Sequence, residues 1–540
     1  MAKGYRPVRR DQPVLLPEDM RDWLPADHPV WLVIRAVEDH LDTSAFHAVR
    51  HTGGAGTAGY DPDMLVSLLM WAYANEVTSS RRIEGLCRTD AAFRVICGGS
   101  FPDHVTIARY RAALPGAVES LFTEVLVLCA RLGMGRLGVV ALDGMKIAAN
   151  ASKAANRTEE RLRKLAARRV AAHAAADQAE DELFGAGRRG DEVPPEAASP
   201  VTRDARIRQA LAELEAERQA AGQERDAQAR AYLEALASGP PPGAPPAVAA
   251  VAAARVRLER AETGQRAKLA AWEARRAAED AAGIKRGPGG RKPFPPDAHA
   301  GVAKARAALA KAEAKAAGAE RAAAARPAPV RNLTDVDSRL MPVRGGGFVQ
   351  GYNTQNVASK DKLIIATELT CDPTDTEWFE PMLRHAQDAA ALLGAHRPPP
   401  PSSGPGTASE DIGLFLADAG YCSEHNLTID GPDRLIATGK HRDLEHAARD
   451  GTALPAAGEA TAAMAARLAT PAGITAYRQR GHIAETPHGH IKHNMRFRQL
   501  SVRGKPKAAA EWRFACTVHN LLKAITTGHL TTQALAALTG

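Results

Sequence analysis

Two short apolar runs in this chain close on an aspartate, and a later segment opens on a glutamate. RLGVVALDG (136–144) brings Asp143 and IGLFLAD (412–418) brings Asp418 to the end of a predicted buried strand, while ETPHGHIKHN (485–494) starts a helical stretch at Glu485. Three carboxylates converging on one point suit a hard divalent cation. Mg²⁺ takes oxygen ligands in octahedral geometry and keeps water and substrate phosphate oxygens in the rest of its shell. Two such ions about 4 Å apart activate an attacking oxygen and stabilise the leaving one in phosphodiester displacement. The chain carries 62 acidic residues, so many other triples exist and spacing alone does not select this one.

Around Glu485 the charge is one-sided. From Tyr477 to Lys507 the basic residues are Arg478, Arg480, Lys492, Arg496, Arg498, Arg503, Lys505 and Lys507, against the single acid Glu485. Such a surface binds a phosphate backbone with strong salt dependence, although a charge run is more often only a solvated face. His482, His488, His490 and His493 crowd the same stretch, but they lack the H-E-x-x-H order and no cysteine is near, which argues against zinc. His519, at helical spacing from Trp512 and Cys516, reads as a packed core histidine. Asp372 and Asp375 follow a strand and could pose as the second carboxylate, but beside Asp418 they read as loop caps. Trp378 could stack on an unpaired base, yet a buried helix tryptophan is the commoner case.

The elements that must position these groups are legible in outline. Residues 15–130 read as several helices, such as MLVSLLMWAYANE (64–76), and 1–130 is expected to be an all-helical domain for DNA binding or assembly. Within it, Asp103 or Thr106 caps a short helix carrying Arg109 and Arg111, which a helix-turn-helix or a plain bundle would equally explain. The segment 131–150 holds the first core strand. From 151 to 330 an Ala, Arg and Glu-rich stretch, punctuated by DELFGAGRRGDEVPPEAASP, LASGPPPGAPP and KRGPGGRKPFPP, predicts about four slender helices in two hairpins inserted into the core. KRGPGGRKP (285–293) fits either a DNA contact or a linker.

Strand signals return in 331–530. GGFVQGYNTQNVAS (346–359) and KLIIATELT (362–370) predict a hairpin, followed by a helix, the loop PPPPSSGPGTAS, the strand ending at Asp418 and a further strand in RLIATGK (434–440). The Ala-rich segment 441–475 reads as a second excursion, before closing helices around IKHNMRF and EWRFACTVHNLLKAI.

Lys and Arg total 70 against 62 acids, a net charge of +8 in 540 residues, which favours polyanionic partners without the density of a packaging protein. Six cysteines without C-x-x-C spacing suggest neither a zinc ribbon nor a disulfide framework, and fit a reducing cytosol. No run of about 18 apolar residues and no signal-peptide h-region occurs, so a cytoplasmic protein without membrane partners is expected.

LADAGYCSEHN (416–426) resembles the second-aspartate motif of DDE-type insertion-sequence transposases, in which Ala-Asp-x-Gly-Tyr is followed by Ser and Asn. ETPHGHIKHNMRFRQLSVRGKPKAAAEWRFACTVHNLLK (485–523) is similar to the family's third-carboxylate segment: Glu485, Gly489, Lys492, Arg503 and Gly504, Glu511 and Trp512, His519 and Asn520 stand at the matching places. YRPVRRDQPVLLPEDMRDWLPADHPVW, DSRLM (337–341) and GFVQGYNTQ (347–355) resemble the insertion sequence 1182 group.

The resemblance implies an α/β ribonuclease-H-like catalytic core with an all-helical N-terminal domain and a long helical insertion after the first strand. It implies that Asp143, Asp418 and Glu485 are catalytic and hold Mg²⁺, or Mn²⁺ in its place, and that Tyr477, Arg480 and Lys492 match the Tyr, Arg and Lys that accompany the family's Glu; with Arg478, Arg496, Arg498 and Arg503 of the basic surface they are the expected DNA contacts. It further implies double-stranded DNA as partner, at the element's ends and at the target, and a dimer that pairs two ends. One departure stands out: the family places three residues between its Arg and Glu, whereas Arg480 leaves four. The competing class is a non-catalytic DNA-binding repressor or an inactive copy; a nuclease acting on RNA would share the core but not explain the flanking units.

Overall fold

The strands that carry the acidic residues pair as their apolar patterning requires. A computed structural model describes residues 19–48, 59–168, 203–239, 243–283, 291–343, 345–398, 411–439 and 458–538. The chain divides into two units, one formed by residues 1–156 and 331–540, the other by 157–330.

The first unit is built on a sheet of six strands: β1 (Val139–Ala148), β2 (Arg339–Pro342), β3 (Phe348–Ser359), β4 (Ile364–Thr370), β5 (Leu414–Ala417) and β6 (Asp433–Ile436). β2, β3, β1, β5 and β6 lie side by side in that order, and β4 also pairs with β3. β1, β3 and β4 run antiparallel, while β5 and β6 run parallel to β1. The expected hairpin is therefore present as β3–β4. The strand expected in 434–440 is shorter, ending at Ile436.

β1 does not stop at Asp143 as its apolar run suggested. It continues to Ala148 because the long strand β3 offers it partners as far as Gly351, with Asp143 opposite Asn356. Its other neighbour, β5, pairs only with Val139–Ala141. Between that point and Ala148, which bridges to Gln499, one flank of β1 carries no strand, and there Asp143 sits.

Both faces of the sheet are covered, as parallel strands demand. On one, Val140, Leu142, Val357 and Phe415 join a large core with Phe379, Met382 and Leu383 of the helix Phe379–His396 and with Val125 and Leu128 of the helix Ala117–Arg131. On the other, Ala141, Ala358, Leu416 and Leu435 pack with Met464, Leu468, Tyr477 and Ile483. The latter four come from helices Glu459–Leu468 and Pro471–Arg480 and the turn after them. Residues 441–457 lie outside the described set, but 459–475 holds one helix and the start of the next, which join this core and are not the excursion that the alanine content suggested. The inward side chains of the first are Thr461, Met464 and Leu468, while most of its alanines face solvent.

The N-terminal helices share the first core. Tyr73 of the helix Pro62–Ala74 stacks edge-on against Phe514 and also meets Phe497. Asp103 caps the helix His104–Ala112, accepting from the amides of Val105 and Thr106 at 2.8 and 2.9 Å. Arg109 of that helix is exposed, whereas Arg111 is buried against Ser80, Ser501 and Tyr73 and is no part of a solvated face.

The second unit contains three long helices, Arg203–Ser238, Ala250–Ala281 and Ala300–Ala324, preceded by helix at 159–168. Two of the predicted stops fall between them; DELFGAGRRGDEVPPEAASP lies outside the described residues. Large apolar side chains are few, and ion pairs such as Arg255–Glu313 and Arg306–Glu262 link the second and third helices. This is the slender packing that the composition implied.

Candidate active site

The helix that begins at Pro471 does not end at Arg480. It passes through a π turn at Gly481–Glu485, an α segment at Thr486–Gly489 and a second π turn at His490–Asn494. Thr470 caps its start by accepting from the amide of Gly473 at 3.0 Å. Glu485 thus lies inside a continuous helix instead of opening one. A π turn bonds i to i+5 and so takes one more residue than an α turn, and such turns collect at functional sites. The extra residue between Arg480 and Glu485 is absorbed there, which accounts for the departure in spacing.

Arg480 is the centre of the arrangement. Its Nη2 donates to Asp143 Oδ1 at 2.8 Å and lies 3.6 Å from Asp418 Oδ2, and its Nη1 lies 4.0 Å from Glu485 Oε1. The three predicted carboxylates are therefore brought together around one guanidinium. Asp143 and Asp418 are half-buried, whereas the Glu485 side chain is 64% exposed. Arg480 Nε is buried with no hydrogen-bond partner, so this guanidinium is held by charge more than by a full set of bonds.

The electrostatics follow. Burial pushes the Asp143 carboxyl up, but His488 and Arg480 outweigh it and hold the group below the usual carboxylate value. Asp418 is raised: burial dominates, and the neighbouring charges of Asp143 and Asp375 add to it despite Arg480. Arg480 loses solvation, yet Asp143, Asp418 and Glu485 keep it more firmly protonated than usual.

The motif residues around Asp418 each have a structural task. Asp418 accepts from the amide of Gly420 at 2.8 Å, and Ser423 caps the next turn by accepting from the amide of Asn426. Asn426 Nδ2 donates to the carbonyls of Tyr421 and Thr376, tying the loop to the start of the neighbouring helix. The Tyr421 hydroxyl donates to Gln355 Oε1. A Cβ at Gly420 would meet Asp418 Oδ1 at 3.0 Å and Asp375 Oδ2 at 3.3 Å, so a larger residue there would press on both carboxylates.

Asp375 belongs to this site, which its sequence reading as a loop cap missed. Its carboxylate makes no cap; Oδ1 accepts from Asn353 at 2.6 Å and Gln355 at 2.8 Å and lies 3.4 Å from Lys146 Nζ. The alternating polar residues of GYNTQN, all on β3 opposite β1, were the available signal. Asp372 does act locally, accepting from Thr370 and from the indole of Trp378, which leaves Trp378 half-buried and bonded.

Of the residues expected on DNA, Tyr477 is buried with its hydroxyl on the carbonyl of Ala417 at 3.2 Å, and Arg480 is turned to the carboxylates. Both support the site from within. Arg478, Arg496, Arg498 and Arg503 are exposed, and Lys492 is half-buried. Arg496 pairs with Glu76 at 2.8 Å; Arg498 and Arg503 rest on the carbonyls of Lys492 and Asn150.

The closing helix Lys505–Thr526 braces the site. Glu511 accepts from the amides of Ser501 and Val502, and Asn520 bonds both the amide and the carbonyl of Ile364, completing the backbone of β4 at that point. His519 is a core residue, bonded to the carbonyl of Lys362 and to His490 at 3.0 Å each. The four histidines near Glu485 form no zinc cluster. Among the described residues, His47, Asp61 and Asp63 are the one group of three with ligand atoms within 4.8 Å of one another. The carboxylates around Arg480 are held more openly.

Residues 441–525 match the family described as Transposase DDE domain, and residues 18–113 match Transposase domain (DUF772). Two separate stretches carry transposase domains. Together they support a DDE-type transposase of insertion sequences, an enzyme acting on DNA that depends on divalent metal. The DDE match spans Arg480, Glu485, Lys492, Trp512 and Asn520; Asp143 and Asp418 lie outside it. No curated protein and no solved structure matches the chain. No single described helix is long and apolar enough to cross a membrane.

Proposed function

We propose that this transposase binds the terminal inverted repeats of its own element, hydrolyses a phosphodiester at each end, and joins the freed 3′-hydroxyl to target DNA. The observation that carries the reading is the convergence of Asp143, Asp418 and Glu485 on Arg480, on one face of the sheet where β5 ends. The strand order β4–β3–β1–β5–β6, an antiparallel trio followed by two parallel strands, supports a ribonuclease-H-like core. The insertion sequence 1182 group is the branch that the sequence motifs favour.

The donor set fits a hard cation. All three groups are carboxylates, and the guanidinium of Arg480 already stands among them as a positive charge. Asp143, Asp418 and Glu485 would hold Mg²⁺ or Mn²⁺, which supplies activation of the attacking oxygen and stabilisation of the leaving one. Arg480 holds the carboxylates together by its charge. Arg478, Lys492, Arg496, Arg498 and Arg503 bind backbone phosphates beside them, without reading sequence. In-line displacement requires no covalent protein intermediate. Two ends are processed together, so a dimer on DNA is part of the proposal.

A cell-based excision assay tests it. A mini-element flanked by the native repeats should move with the wild type and not with Glu485→Gln, while both proteins bind the repeat. Binding without movement by the wild type would instead favour a repressor or an inactive copy.

A further inference from the structure

Behind Asp143 runs a directed chain of hydrogen bonds that neither the triad nor the basic surface uses. The indole Nε1 of Trp512 donates to Thr367 Oγ1 at 2.9 Å, and Thr367 Oγ1 donates to Asn356 Oδ1 at 2.6 Å. Asn356 Nδ2 lies 3.0 Å from His488 Nε2, and His488 Nδ1 lies 3.7 Å from Asp143 Oδ2. That last distance is long for a hydrogen bond and short for a charge contact.

The direction of the chain is fixed at both ends. An indole nitrogen only donates, and Trp512 Nε1 also lies 3.4 Å from Asn356 Oδ1, so the oxygen of the amide must face it. The Asn356 amide then presents N–H to His488 Nε2, which has to accept. The ring's N–H is left on Nδ1, facing a carboxylate, which is the arrangement the Asp143 end also demands. Asn356, Trp512 and His488 are all at least nine-tenths buried, and Thr367 is 5% exposed, so water does not compete for these bonds.

We infer that His488 is a positioning residue for the first catalytic carboxylate, held in its Nδ1–H tautomer by Asn356, Thr367 and Trp512. Asp143 is flanked on two sides, Oδ1 bonded by Arg480 and Oδ2 facing His488 Nδ1 at 3.7 Å. Its rotation is thereby set before metal or DNA arrives. Outer-shell partners of this kind orient a ligand and tune its basicity, and their loss costs about 10–100-fold in metal affinity. The chain joins β1, β3, β4, the π-containing helix and the closing helix, which gives the motif tryptophan a functional reason beyond packing.

The inference rests on the metal-dependent transposase reading, and the test separates the two. Mn²⁺ binding to the full chain is measured by electron paramagnetic resonance, for the wild type, Asp143→Asn, His488→Phe, His488→Asn and Asn356→Asp. His488→Phe keeps the ring volume without a donor, and His488→Asn places an amide N–H near the Nδ1 position. Asn356→Asp replaces the donating amide with an accepting carboxylate, which forces the opposite tautomer on His488. About tenfold or more weaker Mn²⁺ binding is expected for H488F and N356D, with recovery toward wild type in H488N. In parallel, ¹⁵N spectra of histidine-labelled protein should show, for the signal missing in H488F, a protonated Nδ1 and an unprotonated Nε2. Wild-type-like Mn²⁺ binding by H488F, or a protonated Nε2, would overturn the inference while leaving the transposase intact. Absence of Mn²⁺ binding that depends on Asp143 would overturn the metal reading itself.

Discussion

Arg480 and Glu485 are five positions apart in the chain, yet Arg480 Nη1 lies 4.0 Å from Glu485 Oε1 because the helix between them takes a π turn. In an α-helix, positions four apart share a face; in a π turn the matching separation is five.

Deleting Gly481 should therefore convert the turn to α geometry and keep both groups on one face. Metal-dependent nicking by this variant is expected to persist. Inserting an alanine after Gly481 adds a residue that no turn absorbs, rotating Glu485 by about 100°, and should abolish nicking. A deletion variant that folds by circular dichroism but does not nick would contradict this alignment.

Arg480→Met should lower the melting temperature of the metal-free protein, since removing one partner of a buried ion pair costs about 3–5 kcal/mol. The rise in melting temperature on adding Mn²⁺ should then exceed that of the wild type, because the cation takes over the charge that the guanidinium supplied. Equal Mn²⁺ responses would show that Arg480 does not stand in for a cation.

Gly144→Ala tests the place of Asp375. A Cβ there would sit 2.9 Å from Asp375 Oδ1 and 3.1 Å from Gln355 Nε2, so the Asp375 network must shift. Nicking should fall sharply in G144A and in Asp375→Ala, with DNA binding kept. Unchanged nicking in both would return Asp375 to a local structural role.

Burial and the neighbouring His490 pull the His519 imidazole down from 6.5 to about 3. The unfolded chain then binds the proton first as pH falls, so this group's contribution to stability is full above about 6.5 and is lost between there and about 3. His519→Asn should flatten the acid-side loss of stability in that window, read as urea midpoints at pH 7 and pH 5. A wild-type pH slope in the variant would contradict the buried neutral imidazole.

Much of the frame was legible because burial writes itself into apolar runs. The β1, β3, β4 and β5 segments and the helix at Phe379–His396 follow from their patterning. What the sequence hid was geometry set by partners. β1 outruns its apolar text because β3 pairs with it, and the alanine-rich 459–475 looks peripheral because most of its alanines face solvent while only a few residues, Met464 and Leu468 among them, turn inward. Arg480 reads as a phosphate contact, since nothing local shows that a π turn will aim it at three carboxylates. Asp375 was overlooked because its partners, Asn353 and Gln355, come from a strand about twenty residues upstream.

Strand cleavage of a duplex carrying the element's own terminal repeat, by the wild type and by Asp418→Ala, with Mg²⁺ or with EDTA, tests the central claim most directly. Nicking at the repeat end that requires Mg²⁺ and disappears in D418A is the predicted result. Tight binding with no cleavage under any divalent metal, or cleavage that survives in D418A, would contradict it.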